Sequence, residues 1–480
     1  MTDIQPHILW NYFHQITQVP RPSKREEQIA AYLKDFAGQH QLPVTTDKVG
    51  NILITKPATP GYENHPKVIL QAHIDMVCEK NAGTNHDFEK DPIQTYIDGD
   101  WIKAKGTTLG ADNGIGMAMM LAVLTAHDLQ HPALECLFTV DEETGLTGAY
   151  GLDNKFLSGQ VLINLDSEDD GEIFIGCAGG IGTKAIFSYQ QESTPAGYFG
   201  FKVKVSGLTG GHSGGDIHLG LANAIKILNR YLWQLNQRMD VRLISLEGGN
   251  LHNAIPREAN AFAAVPYAEK ETIRVLLNIY IATIEAEFKD IEPNFRISLE
   301  SASLPDMLIE KSFSDRLLRV LYACPHGVKA MSRTIPGLVE TSTNLASVKM
   351  TDKQQIEINT SQRSSSETAK ADIAAQLKAV FELAGAEVIQ SDGYPGWQPN
   401  IQSALLAKAE LAYKILFNED PKVKAIHAGL ECGLFLEKYP HLDMISIGPQ
   451  MYGVHSPDER LSILSTQKTW KWLIELLKIC

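Results

Sequence analysis

The sequence predicts an α/β protein with a mostly parallel central sheet and an inserted α+β domain. Three observations support this prediction. Strand-like and helix-like segments alternate up to about residue 180, an α+β pattern follows to about residue 392, and the alternation returns in the last block. Because His455 of the last block is expected to join polar residues that follow the strands of the first block, we infer one discontinuous domain. Its predicted parts are residues 1–183 and 397–480, and the insert spans 184–396.

Length and composition indicate an ordinary folded protein of more than one domain. The chain has 480 residues, of which 44% are hydrophobic and 21% charged, and this length exceeds what a single core usually supports. The net charge of −14 argues against nucleic acid as a partner, because phosphate binding needs clustered Lys and Arg. The amino end lacks the pattern of a secretory signal, and no apolar run is long enough to span a bilayer. We therefore expect a cytoplasmic protein with no membrane partner.

Cysteine usage restricts the kind of metal site that the chain can form. The six cysteines include no C-x-x-C pair, which fits reduced thiols better than disulfides or a thiolate zinc site. Any metal is therefore expected to be held by histidine and carboxylate.

The first block is predicted to contain helices and three apolar strands. The segment Ser23-Lys24-Arg25-Glu26 has the spacing of a capping box and opens a helix with apolar positions such as Ile29 and Leu33. A buried helix rich in Ala and Met is predicted over residues 114–126. The three strands are predicted at residues 68–72, 137–140 and 161–165.

The middle and last blocks continue the alternation of strands and helices. Residues 199–205 alternate as an exposed edge strand would, and an amphipathic helix is predicted over 218–235. Residues 391–399 are rich in turn formers and are interpreted as a return linker. The remaining predicted elements are strands at 241–246, 259–265, 423–426 and 444–447, a strand ending near 362–363, helices at 271–288 and 368–383, and a final helix.

Residues that can bind metal ions follow the predicted strands of the first block and recur near the carboxyl end. They are His73, Asp75, Asp112, Asp141, Glu142, Glu143, Asp166 and His455. The carboxyl ends of parallel strands form the ligand-binding edge of such sheets. Unpaired carboxylates repel one another and are costly to bury, and a cation offsets that cost. The set therefore predicts two zinc-class ions and one general base.

Individual roles follow from chemistry. Asp75 can bind the second ring nitrogen of His73 and fix its tautomer. Because alternate residues of a strand project in opposite directions, Glu143 is interpreted as a ligand and Glu142 as the base that takes a proton from water. Taken singly, these motifs are more often a structural histidine, a helix N-cap or a solvated acidic turn. Their common order along the chain favours the metal site.

The insert contributes three further candidates. His212 lies in a glycine-rich loop, Asn253 precedes Ala-Ile-Pro, and Arg363 lies near a strand end. A guanidinium group is a natural bidentate partner of a carboxylate, which makes Arg363 a candidate anchor. Ordinary alternatives are a chain turn, a strand cap and a surface arginine.

In their order along the chain, these motifs resemble those of the dinuclear zinc peptidase family that includes aminoacylase, carboxypeptidase G and carnosinase. The resemblance covers essentially the whole chain. It implies two Zn²⁺ ions per chain, for which Co²⁺ or Mn²⁺ can substitute. The implied ligands are His73, Asp112 and Asp166 for one ion, and Asp112, Glu143 and His455 for the other, so that Asp112 bridges them.

The same resemblance implies an activity and assigns the remaining residues. Asp75 is the orienting acid and Glu142 the catalytic base, in a discontinuous catalytic domain with an inserted α+β lid or dimerisation domain. His212 and Asn253 hold the scissile carbonyl, and Arg363 binds the substrate's free carboxylate. The expected substrates are dipeptides, with β-alanyl-histidine and other Xaa-His dipeptides favoured, and a homodimer is expected. Hydrolysis of N-acyl amino acids with the same site remains an alternative.

Two rival functions also fit part of the sequence. Residues 211–215 match the G-x-S-x-G pattern of serine hydrolases around Ser213, with Asp443 and His455 downstream. Against this, Gly207-Leu208-Thr209-Gly210 separates the strand from Ser213, and the acidic motifs are left unexplained. The second rival is a metal-binding protein that catalyses no reaction. Such a protein needs metal ligands but no general base, so the presence of Glu142 argues against it.

Overall fold

The computed structural model describes residues 4–480, which form two compact units. Unit 1 comprises the chain up to Cys177 together with Trp397–Ala425 and Leu430–Cys480, and unit 2 comprises Ala178–Gly396 and Ile426–Gly429. One strand runs without a break over Gly179–Ser188, so the boundary drawn from sequence at 183/184 falls inside a strand. In the described part of the chain, no helix has the length and apolarity needed to cross a membrane.

The first segment of unit 1 contains five helices and eight strands in the described residues. In chain order they are α1 (His7–Thr17), α2 (Glu27–Gln39), β1 (Val44–Thr46), β2 (Ile52–Lys56), β3 (Val68–His73), β4 (Thr95–Asp98), β5 (Trp101–Ala104), α3 (Ala111–Thr125), β6 (Leu134–Thr139), α4 (Glu142–Gly145), α5 (Thr147–Gly151), β7 (Val161–Asn164) and β8 (Glu172–Cys177).

Unit 2 is built mainly of antiparallel strands and four longer helices. In chain order its elements are β9 (Gly179–Ser188), β10 (Gln191–Ser193), β11 (Tyr198–Ser206), β12 (Gly211–His212), α6 (Ala224–Asn236), β13 (Arg242–Gly248), β14 (Ala254–Ile255), β15 (Ala259–Pro266), α7 (Lys270–Phe288), β16 (Arg296–Ala302), β17 (Met307–Ile309), α8 (Lys311–Ala323), β18 (Gly327–Met331), β19 (Val339–Thr351), β20 (Gln355–Ser364), α9 (Glu367–Leu383) and β21 (Glu387–Gln390).

The last block returns the chain to unit 1. Its elements are α10 (Ala404–Phe417), β22 (Lys422–Ile426), α11 (Glu431–Lys438), β23 (Asp443–Ser446), β24 (Met451–Tyr452), β25 (Arg460–Ser462) and α12 (Ile463–Ile479).

The core of unit 1 is an eight-stranded sheet in the order β1-β2-β6-β3-β7-β23-β8-β22. The inner strands β6, β3, β7 and β23 are parallel, whereas β2 and β8 join them antiparallel. Strands β3 and β6 are buried along their whole length, as their continuous apolar runs predict. Because β23 of the last block pairs with β7 of the first, the predicted α/β class with a discontinuous, mostly parallel sheet is confirmed.

Helix α3 lies against this sheet and is buried on nearly all sides, as its Ala- and Met-rich sequence predicts. It begins after Gly110, whose φ of 70° lies in the left-handed region that glycine tolerates. A side chain at Gly116 would meet the backbone oxygen of Leu165 at 2.8 Å, so this glycine permits the close approach of the helix to the chain after β7. The first turn of α3 therefore lies beside the carboxyl end of β7.

Unit 2 contains an antiparallel sheet in the order β16-β11-β15-β13-β19-β20-β9-β21, with β18 paired to β19. One face of the sheet is covered by helices, because Ile356 and Ile358 of β20 share a buried cluster with Leu377 and Phe381 of α9. This agrees with the predicted α+β insert. The expectation of an edge strand at 199–205 is wrong, since β11 pairs with β15 on one side and β16 on the other.

Two predicted helix starts are also wrong. Helix α2 begins at Glu27 without a side-chain cap, and the Ser23 hydroxyl instead donates to the carboxylate of Asp75 at 2.7 Å. The helix predicted from residue 218 begins at Ala224, capped by the side chain of Asn223. Residues 217–219 form a separate 3₁₀ turn that ends at Gly220. Local spacing alone could not distinguish such a turn from the first turn of a long helix.

Candidate metal centre

Two groups of potential metal ligands in unit 1 share Asp112. The first group is His73, Asp112 and Asp166, and the second is Asp112, Glu143 and His455; within each group the ligand atoms lie within 4.8 Å of one another. Nε2 of His73 is 2.9 Å from Oδ1 of Asp112, and Nε2 of His455 is 3.2 Å from Oδ2. Asp112 thus presents one carboxylate oxygen to each group, as a bridging ligand would.

The first group lies at the carboxyl edge of the parallel sheet. His73 is the last residue of β3 and is 1% exposed, and Asp166 follows β7. Nε2 of His73 is 3.4 Å from Oδ1 of Asp166, which also accepts a hydrogen bond from the Asn113 amide. Burial, with a further contribution from the nearby Asp112 carboxylate, raises the pKa of Asp166 to about 6. A cation in this group would offset that accumulation of negative charge.

The second group combines a buried carboxylate with a half-exposed histidine. Nε2 of His455 is 3.0 Å from Oε2 of Glu143, and the two side chains are 53% and 3% exposed. The other oxygen, Oε1 of Glu143, is buried without a hydrogen-bond partner among the described residues. Buried acceptors are seldom left unpaired in folded proteins. The unpaired oxygen therefore fits a cation ligand.

The carboxylate of Asp75 holds both the first histidine and the turn that carries the glutamates. Its Oδ1 lies 3.2 Å from Nδ1 of His73 and accepts a 3.0 Å hydrogen bond from the backbone N–H of Glu142. Its Oδ2 accepts hydrogen bonds from the Ser23 hydroxyl at 2.7 Å and the Glu143 N–H at 3.2 Å. Burial opposes ionisation, but these hydrogen bonds lower the pKa of Asp75 to about 2. An ionised Asp75 favours a proton on Nδ1 of His73 and leaves Nε2 free to bind metal.

Glu142 and Glu143 lie in the first turn of α4, after Asp141 with its φ of 49°. The strand alternation used to separate their roles is therefore wrong, although the helical turn also directs the two side chains differently. The Glu142 carboxylate lies within 4.8 Å of ligand atoms of His73 and Glu143. Burial raises the pKa of Glu142 well above its usual range, and the negative charge of Asp166 adds to the effect. A raised pKa makes an ionised carboxylate a stronger proton acceptor.

Three further residues support the site, and sequence reasoning missed all of them. Glu459 accepts hydrogen bonds from the N–H groups of Leu109, Gly110 and Ala111 at 2.6, 2.9 and 2.8 Å, which fixes the loop before Asp112. These contacts join residues that lie 348 to 350 positions apart, so no local pattern indicates them.

Arg21 and Glu431 are the other two supporting residues. The Arg21 guanidinium donates to the backbone oxygens of Ile74, Asp75 and Gly110, and so connects the loop after β3 to the start of α3. Glu431 is buried and accepts hydrogen bonds from Gln71 at 2.7 Å and Thr139 at 2.9 Å. Burial raises the pKa of Glu431 to about 8, and the negative charge of Asp166 adds to this shift.

The donor set agrees with the chemistry of divalent zinc-class ions. It consists of two imidazoles and several carboxylates and includes no thiolate. Imidazole and carboxylate ligands suit Zn²⁺, Co²⁺ and Mn²⁺ rather than a thiophilic site. The shared carboxylate, the unpaired oxygen of Glu143 and the buried acidic charge together indicate that the site is built for metal.

The three candidates of the insert lie in unit 2. His212 is in β12 opposite Ala254 of β14, and the N–H of Ser213 donates to the backbone oxygen of Asn253 at 2.8 Å. Nη2 of Arg363 is 3.4 Å from Nε2 of His212, and its Nη1 donates to the Tyr394 hydroxyl at 2.8 Å. His212, Asn253 and Arg363 are thus neighbours within unit 2.

The structure gives no support to Ser213 as a nucleophile. Its hydroxyl is buried and has no hydrogen-bond partner among the described residues, so no histidine is positioned to activate it. The Asp443 carboxylate accepts hydrogen bonds from the Ser403 hydroxyl and the Leu405 N–H instead.

Comparisons with known proteins identify similar chains. The model of a family described as "Peptidase family M20/M25/M40" matches residues 69–478. The cytosol non-specific dipeptidase of Escherichia coli strain K12 is 46% identical over 478 residues, covering 100% of this chain and 98% of that protein. The crystal structure of aminoacylhistidine dipeptidase from Vibrio alginolyticus has 43% identity and a TM-score of 0.93, covering 100% of this chain and 97% of that one. A tripeptidase from Staphylococcus aureus shares the fold, with a TM-score of 0.58 and 17% identity over 99% of this chain and 98% of that one.

Proposed function

The chain belongs to the peptidase family M20/M25/M40, and we therefore propose that it is a metal-dependent dipeptidase whose substrates include β-alanyl-histidine and other Xaa-His dipeptides. One observation carries this proposal: the two carboxylate oxygens of Asp112 contact His73 and His455, one in each group of potential ligands. The Glu142 carboxylate lies close to ligand atoms of both groups. The names of the relatives from Escherichia coli and Vibrio alginolyticus, a non-specific dipeptidase and an aminoacylhistidine dipeptidase, support the substrate class.

The proposed cofactor is a pair of Zn²⁺ ions, for which Co²⁺ or Mn²⁺ can substitute. His73, Asp112 and Asp166 would hold one ion, and Asp112, Glu143 and His455 the other. When bound, such ions lower the pKa of a water molecule and polarise the scissile carbonyl. Asp75 keeps the His73 ring in the tautomer that binds through Nε2.

The remaining steps fall to the side chains of the protein. Glu142 accepts a proton from the attacking water and later donates it to the nitrogen of the leaving amine, so that amide hydrolysis is balanced in protons. His212 and Asn253 would hold the carbonyl oxygen as negative charge develops on it. Arg363 would bind the free carboxylate of the substrate, for which its buried, unpaired Nε offers a donor.

A substrate panel tests the proposal directly. Dipeptides, tripeptides and N-acetyl amino acids would be assayed with the purified protein after loading with zinc, cobalt or manganese. We expect cleavage of dipeptides, including β-alanyl-histidine, in preference to the other two classes. Exclusive hydrolysis of N-acetyl amino acids would show a deacylase instead, and lack of any metal-dependent amide hydrolysis would reject the proposal.

Compartment and assembly form part of the same proposal. A cytoplasmic location is supported by the name of the relative from Escherichia coli. A homodimer is supported by the family resemblance of the sequence alone. Fractionation of cells and sedimentation of the purified protein would test the two statements separately.

A further inference from the structure

The open face of the unit 2 sheet carries a hollow of about 540 Å³ beside Arg363. Ile356 and Ile358 of β20 point into the helix-covered core. Because side chains alternate along a strand, Asn359, Ser361 and Arg363 point to the other face. We call this feature the sheet hollow; its lining residues come from β9, β20, the chain around β21 and His252.

Strand register arranges the sheet hollow in three rows. Arg363 lies opposite Gly180 in the first row, Ser361 opposite Gly182 in the second, and Asn359 opposite Lys184 in the third. Successive rows are two residues apart, or roughly 7 Å. The sheet hollow therefore extends along the strands, away from the Arg363 guanidinium.

Gly182 keeps the middle row open. A Cβ at this position would meet only the Ser391 hydroxyl oxygen at 3.5 Å, with other atoms no nearer than 4.0 Å. The φ angle of Gly182 is not positive, so the backbone conformation does not require glycine at this position. Gly180 differs, because a Cβ there would lie 2.6 Å from the ring of Tyr394, which covers this glycine. The empty space over Gly182 is therefore unused by the fold.

We propose that the sheet hollow binds the side chain of the substrate's carboxyl-terminal residue, an inference that rests on the proposed dipeptidase function and on Arg363 as carboxylate anchor. A carboxylate held by Arg363 places the adjoining Cα at the first row. A side chain of four or five bonds reaches roughly 6 Å from there, which brings its tip over Gly182 in the second row. The position of the anchor thus directs the side chain into the available volume.

The lining defines the class of side chain that fits. Hydroxyls of Ser361 and Ser391 flank Gly182, and the Asn359 amide lies in the next row. The lining includes two cations, Arg363 and Lys184, and no carboxylate, although Lys184 forms an ion pair with Glu357 at 2.8 Å. Uncharged side chains up to the size of imidazole or phenyl are therefore accepted, and basic ones are disfavoured. Neutral histidine belongs to the accepted class.

A variant that fills the middle row provides the first test. With zinc-loaded, full-length Gly182→Val, we expect kcat/KM for Ala-His and Ala-Phe to fall by about 10-fold or more, mainly through KM, because a filled pocket rejects added side-chain volume. Ala-Gly should change by no more than about two-fold. Ser188→Val is the matched control, since it adds the same side chain to β9 outside the sheet hollow and should leave all three substrates unchanged. Equal effects on all three, or no effect on any, would overturn the inference.

A charge-reversal variant gives a second test, in which the expected result is a gain in selectivity and not a loss of activity. Lys184→Glu should raise the kcat/KM ratio of Ala-Lys to Ala-Glu by about 10-fold, because it joins Glu357 in attracting a cationic side chain. An unchanged ratio would count against the inference. If the unmodified protein cleaves no dipeptide, the proposed function fails; if it cleaves dipeptides but neither variant changes selectivity, only the sheet hollow assignment fails.

Discussion

The carboxylate of Asp75 accepts a 3.0 Å hydrogen bond from the backbone N–H of Glu142, and this bond joins the end of β3 to the turn of the candidate base. The same oxygen contacts Nδ1 of His73 at 3.2 Å, while the second oxygen serves Ser23 and Glu143. One carboxylate thus fixes His73 and Glu143, which are proposed metal ligands, and Glu142, the proposed base. The Ser23 hydroxyl and the N–H groups of Glu142 and Glu143 donate to the Asp75 carboxylate, and Nδ1 of His73 does so when it carries the proton. Both oxygens of Asp75 therefore have to remain acceptors.

Asp75→Asn replaces one of those acceptor oxygens with an NH₂ donor. We expect metal affinity to fall by about 10- to 100-fold, as is typical when the residue that orients a metal-ligating histidine is changed. Metal content after dialysis against graded chelator would measure this loss, with activity recorded at saturating zinc. Asp372→Asn, an exposed change on α9, is the control. Wild-type metal retention in Asp75→Asn would contradict the role of this carboxylate.

Glu142→Ala should separate the base from the ligands. We expect the variant to keep both metals and to lose about 100- to 10,000-fold in kcat, the range for removal of a positioned general base. Glu143→Ala is the comparison, because loss of a ligand should lower metal content as well as rate. Elemental analysis and steady-state kinetics on the same preparations would distinguish the two. A normal rate in Glu142→Ala would refute its assignment as base.

Much of the fold could be predicted from short-range patterns. Continuous apolar runs identified β3 and β7, and the polar residues after them, His73 and Asp166, lie at the carboxyl edge of the sheet. That the last block belongs to the domain of the first was inferred from one consideration, that His455 has to reach the first block; the pairing of β23 with β7 agrees with it. Periodicity and strand-end chemistry are local signals, which is why they could be used without a structure.

The supporting contacts of the site could not be predicted in this way. Glu459 and Arg21 bind backbone groups far away in sequence, and a backbone amide has no side-chain identity for a pattern to detect. The start of α6 was misplaced because a 3₁₀ turn at 217–219 has the same local composition as a helical turn. The helical position of Glu142 was missed because three acids after a strand were assumed to continue it.

Arg363→Ala should mainly weaken substrate binding. We expect KM for dipeptides to rise by about 10- to 100-fold, since hydrogen bonds between charged partners contribute roughly 1.5–3 kcal/mol. The preference for a dipeptide over its carboxyl-terminal amide should shrink by a similar factor, because the amide never gained that contact. Arg363→Lys keeps the positive charge but loses the planar pair of donors. Its KM for dipeptides should therefore lie between those of the wild-type protein and Arg363→Ala. An unchanged KM for both substrates would count against Arg363 as the anchor.

Removal of metal should lower stability as well as abolish activity. Without cations, the carboxylates of Asp112, Asp166 and Glu143 remain close together with only His73 and His455 as partners of opposite charge, and the remaining repulsion opposes folding. Each zinc ion present at 100 times its dissociation constant should stabilise the folded protein by about 2.7 kcal/mol if it binds only that state. Thermal unfolding after chelation, and again after zinc is restored, would measure the difference in Tm.

Two variants and one reagent sharpen this last experiment. Glu142→Ala retains all proposed ligands and should show nearly the full zinc-dependent rise in Tm, whereas His455→Ala removes one ligand and should show a smaller rise. A serine-directed phosphonylating reagent should leave the activity intact, because the Ser213 hydroxyl is buried and unpaired. If chelation changed neither Tm nor activity, the acidic residues around Asp112 would have to be stabilised by something other than metal, and the metallopeptidase assignment would fall.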